Sequence, residues 1–237
     1  MKKFILFILF LFYSFFLNAQ YINYSQFYSS PHSLNPALSG SGEFGRIGVI
    51  YRNQWPLIDN GYQFFTSWID YNLAKSNFSF EINFSNEKIG INSLSTSHVS
   101  PSLSYEINLS YDWVIRSGIQ ISYTNSNFDS QNLLFYDQFQ QNGSINPTLE
   151  NLSTFEKVNY LNLAVGLIAY SNNVWLGASI YNLPKPNISF SDNIENLDRL
   201  YSFHGGYSLK LNKVSQHNLT IVPVFNFRII SNISQLD

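Results

Sequence analysis

The residues best suited to acid–base or metal chemistry are four histidines, His32, His98, His204 and His217. No two stand at His-x-x-x-His spacing, and with no cysteine in the chain neither a zinc helix nor a thiolate site can be built. The same absence excludes a disulfide framework and a lipidated N-terminal cysteine. Ser100 lies close to His98, but the run is serine-rich and the proximity is what chance gives. There is no Gly-x-Ser-x-Gly elbow and no phosphate-binding loop. No catalytic, metal or cofactor site is therefore read; a hydrolase would need a nucleophile brought beside His98 or His204 by the fold. The remaining chemistry is ionic. Glu81 and Glu106 share the polar side of alternating segments, as do Arg46, Arg52 and Arg116. Such a set either holds a plug or gates a pore, or lines a polar interior whose charges pair to limit desolvation.

Stepping from these residues to their carriers, only 12% of the chain is charged while 17% is aromatic, the reverse of disordered composition. Without Lys2 and Lys3 the chain carries 11 basic and 15 acidic residues, net −4, which is not a nucleic-acid binder's balance. The many Asn-x-Ser/Thr triplets follow from the abundance of Asn and Ser.

Residues 1–19 have the form of a cleaved secretory signal: Lys2-Lys3, an apolar run from Phe4 to Leu17 too short to span a bilayer, and Ala19 before Gln20. Beyond it the segments alternate with period two. Phe78, Phe80, Ile82 and Phe84 oppose Ser79, Glu81 and Asn83; Leu103 to Tyr111 and Ile115 to Tyr123 repeat the pattern. Tyr160–Tyr170 with Val174–Tyr181, and Leu200–Leu211 with Asn218–Ile230, read as hairpins, the second joined through Asn212-Lys213 and the polar residues after it. About nine or ten strands result, with no helical periodicity. The connections 125–156 and 184–199 are long and polar. Lipid outside, a polar lumen inside and long loops at one end describe an all-β, antiparallel transmembrane barrel of the outer membrane. Trp55, Trp68, Trp113 and Trp175 then suit interfacial girdles.

Between leader and barrel, residues 20–43 form an extended N-terminal segment, since Pro31 and Pro36 exclude a helix, and residues 44–237 form the barrel domain. This segment carries a resemblance. Ser25-Gln26-Phe27, Leu34-Asn35-Pro36-Ala37 with Gly40, and Tyr51-Arg52-Asn53-Gln54-Trp55 resemble the N-terminal signature of the PorP/SprF family, outer-membrane proteins of the type IX secretion and gliding machinery of Bacteroidetes. Asn86-Glu87-Lys88-Ile89-Gly90, Trp175-Leu176-Gly177-Ala178-Ser179 with Asn182-Leu183-Pro184, and Tyr201 with Gly205-Gly206-Tyr207 continue it. Family chains run for several further strands, whereas this one ends in a polar stretch, Ser231–Asp237; a chain with missing C-terminal strands is expected.

The resemblance implies a non-enzymatic membrane component that helps particular secreted or adhesin proteins reach the surface, beside periplasmic ring components and outer-membrane lipid. The family-motif residues Asn35, Pro36, Tyr51, Arg52, Asn53, Gln54 and Trp55 either fix the N-terminal segment to the rim or lumen or contact a partner. Arg46, Glu81, Glu106 and Arg116 are expected to face the lumen. A channel for small solutes is the alternative.

Overall fold

The computed structural model describes residues 30–42, 44–57, 61–73, 76–90, 94–128, 136–138, 157–190, 193–214 and 217–237. The expected signal at 1–19, residues 20–29 and most of the 129–156 connection lie outside the described residues. Among the described residues twelve strands follow a single helical turn α1 (Pro31–Leu34) and a 3-10 turn (Pro36–Leu38). They are β1 (Arg46–Gln54), β2 (Tyr62–Leu73), β3 (Phe78–Ile89), β4 (Leu94–Asn108), β5 (Val114–Phe128), β6 (Lys157–Tyr170), β7 (Val174–Tyr181), β8 (Leu200–Tyr207), β9 (Leu209–Val214), β10 (His217–Ile221), β11 (Val224–Ile230) and β12 (Ile233–Leu236).

Ten of them form one antiparallel sheet in the order β1-β2-β3-β4-β5-β6-β7-β8-β11-β12, while β9 and β10 make a separate ribbon. Strand order follows chain order because each strand returns along its predecessor. The exception is the β8–β11 hairpin. It is interrupted at Ser208 and at Val222-Pro223, where Pro223 has no N–H to give the ladder, and Asn212 and Lys213 lie within β9 of the ribbon beyond it.

Burial along the strands is inverted relative to a water-soluble sheet. On β3, Ser79, Glu81 and Asn83 are 2–5% exposed while Phe80 and Ile82 are 42% and 46% exposed. Register carries this around the sheet: outward Phe80 faces Tyr71 and Leu103, and Leu103 faces Ile119, which faces Val165. A continuous apolar outer face is stable against hydrocarbon and unstable against water. The fold is thus a transmembrane β-barrel wall with a polar interior.

The wall curls around the N-terminal segment. Between Leu34 and Gly40 that segment hydrogen-bonds to β2, β4, β5, β6, β7 and β8. With strands about 4.8 Å apart, β2 to β8 would span roughly 29 Å if flat. Seven residues containing a 3-10 turn cannot reach that far, so the sheet must close over them.

Several sequence expectations need correction. Residues 31–38 are turned, not extended, because each proline occupies the first position of its turn, where the missing N–H would be unpaired anyway. His98 sits within β4, where the polar Ser/Thr run continues the alternation of an inner face. Residues 233–236 of the polar C-terminal stretch pair with β11 as β12. Trp68 and Trp175 have inward parity rather than girdle positions. Trp68 lies over Gly48 of β1 and Trp175 stacks 5.9 Å from the His204 ring. Trp55 and Trp113 are exposed beyond strand ends.

Candidate functional site

The polar interior is organised by residues 30–41. At their upstream end Asn35 is fully buried and its amide does three jobs. Oδ1 accepts the Ala37 N–H at 2.8 Å, capping the 3-10 turn. Nδ2 donates to the carbonyls of Leu167 on β6 (3.0 Å) and Ala178 on β7 (3.1 Å), and lies 3.1 Å from His204 Nε2. Ser179 Oγ donates to the Leu34 carbonyl. Gly118 and Gly166 explain how the segment comes so close to the wall: a Cβ on Gly118 would collide with the Pro36–Ala37 backbone, and one on Gly166 with the Asn35 amide.

His204 continues the network through Ser202, 3.1 Å from its Nδ1, and Ser202 Oγ donates to Asn226 Oδ1 at 2.9 Å. His98 Nδ1 pairs instead with Thr124 Oγ1 at 2.8 Å. His217 opens β10 and His32 lies in α1. Among the described residues no three His, Cys, Asp or Glu side chains converge on a metal position.

The downstream end is held by charge. Asp70, fully buried on β2, accepts the N–H groups of Gly40 (3.2 Å) and Arg46 (3.1 Å) and the Arg46 guanidinium through Nε and, in a closer contact, Nη2. Register puts Arg46 directly opposite Asp70. From β5, Arg116 donates to the Ser39 carbonyl (2.6 Å), to Ser104 Oγ and Ser79 Oγ, and to the Gly40 carbonyl. Its Nη1 is 3.5 Å from Glu106, the cross-strand partner of Arg116, and Glu106 also accepts from Tyr170. Gly40 takes φ +61° there, pressed against Ser79. Glu81, opposite Asp70 in the β2–β3 register, is buried without a hydrogen-bond partner.

These residues frame a cavity of about 740 Å³, lined by Leu38, Trp68, Ile168 and Trp175 with Arg46 and Arg116 at its edge. Ser171, in the β6–β7 turn, and Arg46, at the start of β1, place it at the end of the barrel that has the short turns.

The other motif residues lie elsewhere. Tyr51 and Asn53 point outward, Arg52 pairs with Gln54 (2.9 Å) and lies over the Tyr62 ring, and Trp55 is exposed after β1. They occupy the opposite end of β1 from Arg46, so Asn35 and Pro36 stand apart from Tyr51–Trp55. Sequence reading passed over Asp70 and Ser39. Inward parity with Thr66 and Trp68 marks Asp70 as lumenal, but nothing local marks it as the partner of Arg46. The Ser39 carbonyl carries no sequence signal at all.

Compared with known proteins, the chain matches, over residues 16–237, the family described as "Type IX secretion system membrane protein PorP/SprF". No curated protein and no solved structure gives a significant match.

Proposed function

Because the chain belongs to the PorP/SprF family of type IX secretion system membrane proteins, we propose that it serves that system as a membrane-embedded docking unit rather than as a conduit. It assists specific cargo or adhesin proteins to reach or attach to the cell surface, in association with ring components on the periplasmic side, and it performs no catalysis. The observation that carries this reading is the occupied interior: residues 34–40 bind six strands at once.

The end of the barrel at which β5 stops and β7 leads into residues 182–190 faces outward from the cell in this reading, and the end with short turns and the 740 Å³ cavity faces the periplasm. Cargo would then be recognised at loops, and the machinery met at the opposite rim. Removal from membranes by a carbonate wash, or loss of a heat-modifiable band on gels, would refute the barrel premise.

Two measurements test the role. Deleting the gene should remove a defined subset of surface proteins while leaving general outer-membrane composition intact. Reconstituted protein should be nearly non-conducting in planar bilayers, whereas deletion of residues 30–41 should open it. Steady conductance by the intact chain would instead support a channel for small solutes, with Arg46 and Arg116 setting its selectivity.

A further inference from the structure

The two oxygens of Glu81 and the hydroxyl of Ser39 are buried, and none has a hydrogen-bond partner. They are neighbours, the Ser39 side chain lying against the Glu81 carboxylate without completing a hydrogen bond to it. They also come from different parts of the molecule: Glu81 from the wall and Ser39 from the segment inside it. A carboxylate held out of water with no donor is costly: it is either protonated or faced by a charge of opposite sign.

Among the described residues the nearest cation to Glu81 is Arg46, and its guanidinium is hydrogen-bonded elsewhere. Asp70 stands directly opposite on β2 and already holds the Arg46 guanidinium from β1. On β4 the residue facing Glu81 is the uncharged Ser102. Arg116 of β5 is committed to Ser39 and Gly40 carbonyls, to two serine hydroxyls and to Glu106. Among the described residues two guanidiniums therefore face three carboxyl groups, Asp70, Glu81 and Glu106, which leaves one negative charge unbalanced beside the segment when Glu81 is ionised.

We propose that Glu81 and the Ser39 hydroxyl bind one small monovalent cation of the sodium class, which fastens the N-terminal segment to the barrel wall. The donor set is all oxygen, one bidentate carboxylate and one hydroxyl, with the Asp70 charge behind it; hard cations take such ligands, and thiolate- or imidazole-seeking metals do not. Unit charge matches the imbalance, where a divalent ion would overshoot it. The site exists only while Ser39 is seated, so binding and seating are linked: the ion stabilises the plugged state in proportion to its concentration over its dissociation constant.

The test uses membranes from cells expressing the full chain with Ser33→Cys, the only thiol in a sequence that lacks cysteine. Labelling of Cys by a membrane-impermeant maleimide reports unseating of the segment. At constant ionic strength, replacing choline by sodium at ten times the dissociation constant should slow labelling about tenfold. Glu81→Gln should abolish the sodium effect, and Ser39→Ala, which keeps the carbonyl bound by Arg116, should weaken it should the first variant fold poorly. Equal labelling in choline and sodium, or a sodium effect that survives Glu81→Gln, would overturn the site. So would a response to calcium alone, which contradicts the charge count. None of these readouts depends on secretion, so they fail or succeed separately from the docking role.

Discussion

The two ends of the seated segment are held by different physics. Around Leu34–Ala37 the partners are neutral, namely an asparagine amide, carbonyls of β6 and β7, an imidazole and serine hydroxyls, and each donor of Asn35 meets an acceptor. Around Ser39–Gly40 the partners are ionised, and the set is incomplete, with Glu81, Ser39 Oγ and Arg116 Nε all unpaired. A saturated neutral anchor is rigid and indifferent to ionic conditions, because hydrogen bonds between uncharged groups carry no net charge to screen. An unsaturated charged anchor responds to what enters it. The contrast assigns position to the first and control to the second.

Breaking the charged end should have the largest effect. Asp70→Ala leaves the Gly40 N–H and the half-exposed Arg46 without their shared acceptor, and losing several hydrogen bonds to one buried carboxylate costs about 3 kcal/mol. The temperature at which the heat-modifiable band disappears should fall, and labelling at position 33 should become fast in every salt. Gly118→Val attacks the neutral end by overpacking, driving the Pro36–Ala37 backbone off the wall at about 2–3 kcal/mol. The segment should unseat while the wall persists, so labelling should rise more than the melting temperature drops. Asn35→Ala removes the cap and the bonds to β6 and β7, for about 2 kcal/mol, and its labelling should keep its sodium dependence because the charged end is intact. Loss of that dependence in Asn35→Ala would show that the two anchors act as one.

The smallest effect lies outside the barrel. Hydrogen bonding to Lys185, then its charge and the Ser231 hydroxyl, hold the Asp198 carboxyl below the usual range. A depressed carboxyl contributes above its ordinary titration range, and that contribution is lost as pH falls through the lowered value. Both partners are well exposed, so Lys185→Ala should leave the melting temperature unchanged while the Asp198 carbon resonance titrates at higher pH. A change in segment labelling there would link the outer loops to the interior through buried Asn182, which donates to the Asp198 carbonyl and accepts from Asn162 of β6.

How much was legible beforehand follows from the range of each interaction. Period two is a local property of an extended chain, so Phe80 and Ile82 against Glu81, or Leu103 against Ser104, disclosed the outward and inward faces residue by residue. The ordered motifs disclosed the family for the same reason, being contiguous. Trp68 and Trp175 were misplaced because aromatic girdles are a statistical habit, while a tryptophan in the lumen is decided by whether Gly48 or His204 leaves room for its ring.

What the sequence determined by itself was therefore the membrane-facing pattern, the inward parity of Arg46, Glu81, Glu106 and Arg116, and the family. What tertiary structure alone decided was who meets whom: Arg46 with Asp70, Arg116 with the Ser39 carbonyl, and Asn35 with strands whose contacts lie 132 to 169 residues away in the chain. Pairings at that separation depend on strand register and on the curvature of the whole wall, and neither is encoded in any one stretch of residues.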